Sequence, residues 1–441
     1  MDIKKTAKIA GILLAYPMAY SFLKYFLWDF TDVNVVLKKT LFVLAYIIWN
    51  ELVVRGRGKT PPKETYFWYG IMGIVSLTFT TGLSEGVAGF GLWLCAMYVA
   101  IVSNGICYEG RTGSFIIADL FNAGIIKAFS GFPNIFTDIN NLGKVRREEK
   151  AAAAAGIDTA LVTPAKKKGG SVVGAILIVI VMIPIFIIAV ILLSQINKAF
   201  GDAVEDLLDS FTFRVDLHWF FNNIVYMIFA VPTSLYLYGM LSKSADSDGS
   251  GEKKSFEGLT KWRRGCRVIS PVVSAVVTGI FVALYIVFFV FEGSYLFSAF
   301  AGRLPEEFTA AEYARRGFFE LTGIMFINML IFLLISYFEN RELPGRKLSC
   351  GMICALMGES VIFAAVSFSK LALYYSRFGY TPKRLLAIWG TLIFAAGAVM
   401  VIISTLRKKD LSRAWILFTS ASYAAMSILS SVLYLIMGGV D

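Results

Sequence analysis

Histidine is almost missing: His218 is the only one in 441 residues. That excludes metal and haem centres built from several imidazoles. The five cysteines, Cys95, Cys107, Cys266, Cys350 and Cys354, are too scattered for a disulfide framework or a zinc site. Cys350 and Cys354 stand one helical turn apart at the head of an apolar run, where small apolar packing is their expected role. There is no glycine-rich phosphate loop, no HExxH pair and no serine–histidine pattern. The sequence therefore gives no reason to expect a metal or cofactor, and it reads more readily as a non-enzyme than as an enzyme. Charge is scarce as well, at 17% of residues against about 25% in a soluble domain.

What is present is apolar. Hydrophobic residues make up 57% of the chain, and mean hydropathy is +0.67. They gather in runs of roughly 20 residues, which as helices cross about 30 Å of hydrocarbon. Eleven runs can be marked. Four come early, at Ile9–Leu27, Val33–Val54, Tyr66–Ser84 and Gly89–Val102. Seven follow, at Ser171–Leu193, Trp219–Leu241, Val268–Phe291, Tyr313–Tyr337, Leu348–Tyr374, Leu385–Leu406 and Ser412–Met437. The expected fold is an all-α, polytopic transmembrane helix bundle of about 11 spans in the cell membrane. Pro17, Tyr20 and Phe22 crowd Ala19, the one candidate cleavage site, so the first run reads as a retained span rather than a signal peptide.

The net charge of +11 would suggest nucleic acid as partner to a soluble chain. Here it fits the excess of lysine and arginine in cytoplasmic loops. With the N-terminus inside and the C-terminus outside, the cytoplasmic loops collect 30 of the 42 lysines and arginines. Membrane lipids are the expected partners, and nucleic acid is not. Three segments follow from the pattern. Residues 1–106 hold four spans. Residues 107–170 hold an interfacial helix near Gly113–Phe129 and a charged, alanine-rich linker, Lys144–Gly170, that reads as mobile. Residues 171–441 form a seven-span membrane domain. Between spans six and seven, Lys261, Arg263, Arg264 and Arg267 form a basic collar. It is either simply solvated or a reader of anionic lipid headgroups.

The polar centre lies in Phe291–Leu321. Glu292 closes one apolar run, and Glu312, Arg315, Arg316 and Glu320 open the next. Unpaired charges in a bilayer are costly, so these are paired or used. Glu312, Arg316 and Glu320 recur every four residues and share a helix face, while Arg315 points about 100° away. Three readings stay open: a structural ion-pair ladder, a charged binding site, or an interfacial anchor. Span nine carries a second stripe, Lys370, Tyr374 and Arg377, with Glu359 eleven residues earlier near mid-span. Glu359 is either a functional carboxylate or a hydrogen-bonded neutral acid. A turn at Gly379–Pro382 then leads to Lys383 and Arg384.

Three segments carry a resemblance. GSYLFSAF…LPEEFTAAEYARRGFFEL, ILLSQINKAFGDAVEDLL and LALYYSRFGYTPKRLLAIW resemble the bacterial membrane family catalogued as domain of unknown function 4173, related to 4153. The resemblance covers Ser171–Leu406 and implies an architecture and a motif map without a reaction. It carries over Tyr295, Glu312, Tyr313, Arg315, Arg316, Gly317, Phe318, Glu320, Tyr375, Gly379, Thr381 and Arg384. Glu292–Gly293, Gln195–Asn197 and Lys370–Leu371 depart from the family pattern.

Together these residues suggest binding, transport or sensing of a small or amphipathic envelope ligand at an outward-facing charged cavity. Its candidate groups are Tyr295, Glu312, Arg315, Arg316, Glu320, Glu359, Lys370, Tyr374, Tyr375, Arg377, Thr381 and Arg384. The alternative is a structural or regulatory subunit that recruits a protein partner through its cytoplasmic loops. A third reading is an intramembrane transferase or hydrolase with Glu359 or Glu320 as base.

Overall fold

The computed structural model describes residues 3–28, 33–80, 85–155, 217–302 and 309–437. In chain order the early helices are α1 (Ile3–Leu13), α2 (Ala15–Phe22), α3 (Val33–Gly56), α4 (Lys63–Ser76) and α5 (Glu85–Val102). Then come α6 (Ile116–Phe121), α7 (Ala128–Ser130), α8 (Asn134–Ala155), α9 (Leu217–Asp246) and α10 (Ser250–Gly265). The last five are α11 (Pro271–Phe297), α12 (Ala310–Phe338), α13 (Arg346–Phe378), α14 (Pro382–Arg407) and α15 (Ser412–Met437). Among the described residues the only β pairing is an isolated bridge between Ile269 and Glu339.

Seven helical stretches among these residues are long and apolar enough to cross a membrane. They match the first run and the sixth to eleventh. The second run is helical as α3, and the third forms α4 with a 3-10 turn at Leu77–Thr80. Gly86–Val102, from the fourth run, is a shorter apolar helix. The fifth run, the ILLSQINKAFGDAVEDLL segment and most of the alanine-rich linker lie outside the described residues. The first part of that linker continues α8, which runs through the five alanines to Ala155.

The residues group into two compact units. The first takes its members from Met1–Thr65, Ala96–Ile106 and Ala118–Ser247. Glycine sets its closest packing. A Cβ on Gly131, just after α7, would fall 2.2 Å from the carbonyl oxygen of Gly239 in α9. Only the missing side chains let these backbones approach so closely. On the segment from α6 to α7, Phe121, Ile125, Ile126 and Phe129 are exposed while Asn122, Ala123, Gly124 and Ala128 are buried. The segment is thus two-faced, with its bulky apolar side chains on the open side and small or polar ones packed inward.

The second unit takes Tyr66–Cys95, Cys107–Ile117 and Asp248–Asp441. Its centre is α13, which packs against α11, α12 and α14. The core around it contains Tyr285, Leu321, Met325, Leu356, Met357 and Phe363. Local chemistry sets the helix ends. Ser270 caps α11 ahead of Pro271, whose fixed φ and missing N–H suit a first turn. Thr381 and Pro382 do the same for α14. Thr309 and Glu312 form a reciprocal capping box on α12. The turns on either side of α13 use Gly345 and Gly379 at φ +96° and +69°, where a side chain would be strained.

Candidate functional site

At one end of the second unit, α11, α12 and α13 bring polar groups together around Lys370. The Lys370 side chain is only 1% exposed. Its ammonium lies 4.3 Å from the centre of the Tyr313 ring, a cation–π contact. Tyr313 is itself fixed, because its hydroxyl is 2.7 Å from Ser298 Oγ. One turn along α12, a Cβ on Gly317 would stand 2.5 Å from Lys370 Cδ. The bare backbone at Gly317 is therefore what lets the lysine chain run alongside α12. The carboxylates of Glu320 and Glu292, both on exposed side chains, act electrostatically on the ammonium. The site thus combines a cation, an aromatic face and two acids supplied by three helices.

The other sequence-derived candidates divide into separate groups. Glu312 is exposed and belongs to the α12 cap. Its carboxylate accepts from Thr309 Oγ1 at 2.7 Å and from the Thr309 backbone N–H at 3.2 Å. These bonds, with a smaller contribution from Arg315, hold Glu312 below the usual carboxylate range. Arg315 and Arg377 are exposed. Tyr295 and Arg316 lie in α11 and α12, and their side chains lie outside the described part of the structure.

Arg384 has a structural task. Its Nη1 donates to the carbonyls of Phe378 and Gly379, both at 2.7 Å, and its Nη2 donates to the Tyr374 hydroxyl at 3.2 Å. The guanidinium carbon also lies 4.3 Å from the Tyr374 ring centre. A cation is thus placed on otherwise unbonded carbonyls at the C-terminus of α13, where the helix dipole favours it. Thr381 caps the next helix by accepting from the Arg384 N–H at 3.4 Å. The carbonyl of Tyr375 accepts from the Gly379 N–H at 2.8 Å and closes the turn.

Glu359 is a second, separate centre on α13. Eleven residues correspond to ~16 Å of helix, too far for contact with Lys370. Glu359 is 8% exposed, and its Oε2 has no hydrogen-bond partner among the described residues. Beside it runs a polar chain that hydropathy did not single out. The Tyr285 hydroxyl donates to Asn328 Oδ1 at 2.9 Å, Asn328 Nδ2 donates to Ser360 Oγ at 2.9 Å, and Ser360 Oγ donates to the Leu356 carbonyl at 3.1 Å. An asparagine inside the apolar run of α12 was the available signal.

The first unit contains an ion network that residue order alone does not reveal. Asp138 on α8 accepts from Lys8 Nζ at 2.9 Å, from the Tyr238 hydroxyl at 2.6 Å and from Arg57 Nη2. Arg57 Nε donates to Asp246 at 3.0 Å, and Asn134 Nδ2 donates to the other Asp246 oxygen, also at 3.0 Å. Burial alone would push the Asp138 carboxyl up. The bonds from Tyr238 and Lys8 and the charge of Arg57 outweigh it and hold Asp138 below the ordinary range. Burial works against the Arg57 charge in the same way, and Tyr238, Asp246 and Asp138 outweigh it, holding Arg57 above its ordinary value. By sequence, Lys8 and Arg57 count only among the 30 lysines and arginines of the cytoplasmic side.

Apolar helices of spanning length, with ionisable groups kept inside them, define a multi-pass helical membrane protein. More particularly, the chain belongs to the family described as domain of unknown function DUF4153, whose model matches residues 70–435. This is the family named above as the relative of the one that the motif segments resemble. The match extends beyond Ser171–Leu406 at both ends and takes in most of the third run and all of the fourth. No curated protein and no solved structure matches the chain.

Proposed function

We propose that the protein binds, moves or senses a small or amphipathic ligand of the bacterial cell envelope. The site is the polar end of α11, α12 and α13, on the outer side of an inner membrane crossed about eleven times with the N-terminus inside. The observation that carries this reading is the enclosure of Lys370 against Tyr313 and Gly317, beside the exposed carboxylates of Glu320 and Glu292. A ligand with an anionic or zwitterionic head would meet the cation, the acids and an aromatic face together, which is how a few convergent polar groups fix orientation in an apolar site. Arg377 is assigned to the edge of the site, and Tyr295 and Arg316 are counted with it by sequence alone. Glu312, Thr381, Tyr374, Tyr375 and Arg384 shape the surrounding turns.

Lys370→Met and Glu320→Gln, introduced into a strain lacking the protein, test the reading. Each should abolish complementation while the protein reaches the membrane at normal level. Complementation indistinguishable from wild type in every phenotype of the deletion strain would end it. Loss of function only when the Lys243–Arg267 segment, which contains α10, is altered would favour the partner-recruiting alternative instead.

A further inference from the structure

At the opposite end of the second unit from Lys370, several arginines gather, and among the described residues none of them forms an ion pair with a carboxylate. The ends are distinguishable because Ile269 N–H donates to the Phe338 carbonyl at 3.0 Å and Asn340 N–H donates to the Ile269 carbonyl at 2.9 Å. These bonds draw the start of α11 to the loop between α12 and α13. Arg263, from α10, is held by rings rather than carboxylates. Its guanidinium carbon lies 5.9 Å from the Phe115 ring centre and 5.7 Å from that of Tyr337. The Nε groups of Arg263 and Arg267 are buried and have no acceptor among the described residues. Partial desolvation and the nearby charges of Arg267 and Arg346 push Arg341, itself an exposed residue, below its ordinary value, against a smaller opposing effect of Glu339. One Glu339 oxygen is already taken by Ser349 Oγ–H.

A cluster of this kind repels itself unless an anion joins it. Guanidinium forks match phosphate oxygens in bidentate geometry, and basic pockets beside membrane helices take phospholipid heads. The apolar surroundings decide between a lipid and a soluble phosphate. Trp262 is 62% exposed and meets Tyr337 edge to face at 5.9 Å, an aromatic pair suited to the headgroup level. From there Val268, Val272, Val276 and Ile280 are all exposed, the last three spaced a turn apart along α11. They form an open apolar stripe beginning where the arginines end.

We propose that Arg263, Arg267, Arg341 and Arg346 form a phosphate-binding site that holds the head of an anionic phospholipid, with its acyl chains along the exposed stripe of α11.

The test uses the full-length protein purified in detergent. Thermal stabilisation is measured against mixed micelles carrying phosphatidylglycerol, against micelles carrying phosphatidylcholine, and against inorganic phosphate at equal concentration. Lipid retained after delipidation is read by native mass spectrometry. Phosphatidylglycerol should stabilise the protein and remain bound, and each arginine removed should weaken it about fivefold, so that Arg267→Gln with Arg341→Gln together cost roughly 25-fold. Arg341→Lys, which keeps the charge but loses the fork, should weaken retention less than Arg341→Gln, and it serves as the folded control if the double variant fails to assemble. Lys383→Gln, at the other end of the unit, should change nothing. Equal effects of phosphatidylglycerol and phosphatidylcholine, or unchanged retention in both Arg341 variants, would overturn the proposal. Stabilisation by inorganic phosphate alone, lost in the variants, would overturn the lipid assignment and leave a soluble phosphate as ligand.

Discussion

The ion networks around Asp138 and around Lys370 are built from similar side chains and end in opposite conditions. At Asp138 a carboxylate collects a lysine, an arginine and a tyrosine hydroxyl, and Asp246 and Asn134 complete the arginine's other side. The Arg57 and Asp138 side chains are 8% and 9% exposed, while Lys8 and Asp246 stand at the rim at 27% and 46%, so the network is closed at its Arg57–Asp138 centre. At Lys370 the cation is buried, but it rests on a ring face, and the acids near it sit on exposed side chains. A closed network fixes α1, α3, α8 and α9 against one another. In the Lys370 group the acids sit on exposed side chains and can be reached from outside the helices. In a membrane protein the burial of a charge is therefore less informative than whether its partners are buried too.

The largest effect should come from breaking the closed network. Asp138→Ala leaves Arg57 buried beside Tyr238 with one acid fewer, and losing one partner of a buried pair typically costs about 3–5 kcal/mol. The variant should melt well below wild type in detergent, or fail to accumulate; a melt within a degree of wild type would show that the network is not holding the helices. The pH dependence has a definite sign. Because the folded Asp138 is held below its ordinary value, its contribution is complete above the unfolded value of about 3.9 and is lost as pH falls through the folded one. Stability should therefore stay level from about pH 5 to 8 on account of this group and fall only in stronger acid.

Next comes Gly131→Ala. Its new Cβ would overlap the Gly239 carbonyl, and backbone atoms cannot rotate aside as a flexible side chain can. Overpacking of this kind costs about 1–3 kcal/mol. Gly317→Ala offers the contrast within the open region, since the atom it meets is Lys370 Cδ on a movable chain. It should cost less in a melt yet displace the ammonium from the Tyr313 ring and reduce complementation. Equal melts for the two variants would erase the distinction between fixed and adjustable packing.

A smaller effect is expected at the turn after α13. Thr381→Ala removes an N-cap acceptor from α14, worth about 1 kcal/mol. Its melting shift should be the same with Lys370→Met present as without, since the cap and the cation do not touch in the structure. Strong coupling in that double-mutant cycle would join the turn to the site.

Much of this was legible from residue order alone. The five long helices of the second unit follow from apolar runs punctuated by Ser-Pro and Thr-Pro pairs, and Lys370 and Glu359 stood out as ionisable residues inside such a run. The rest depends on distance and rotation. Arg57 and Asp138 meet across 81 residues, and each taken locally looks like ordinary interfacial charge. Arg384 pointed toward a binding site by the resemblance and by its place just after the Gly379–Pro382 turn, but the positive φ of Gly379 turns the chain so that the guanidinium reaches back to carbonyls five and six residues earlier. The Tyr285–Asn328–Ser360 chain required knowing how three helices are rotated about their axes, which hydropathy does not encode.

The smallest expected change in stability is also the one that best tests the deeper part of α13. Glu359→Gln keeps the size and shape of the side chain and removes its capacity to ionise. In the structure Oε2 makes no hydrogen bond among the described residues, so no bond at that atom is lost by the exchange. The amide can instead donate toward the neighbouring polar chain, and the melt should move by less than about 1 kcal/mol, as for a conservative change that leaves no buried group newly unpaired. Function is then the informative reading. If complementation fails at wild-type stability, the carboxyl is used as an acid or as a charge, and Lys370 and Glu359 are two stations along one helix. If complementation is unchanged across external pH, Glu359 is a packing residue and the function rests on the Lys370 end alone. A large loss of stability would contradict both outcomes, because it would mean that the carboxylate completes a closed network like that of Asp138.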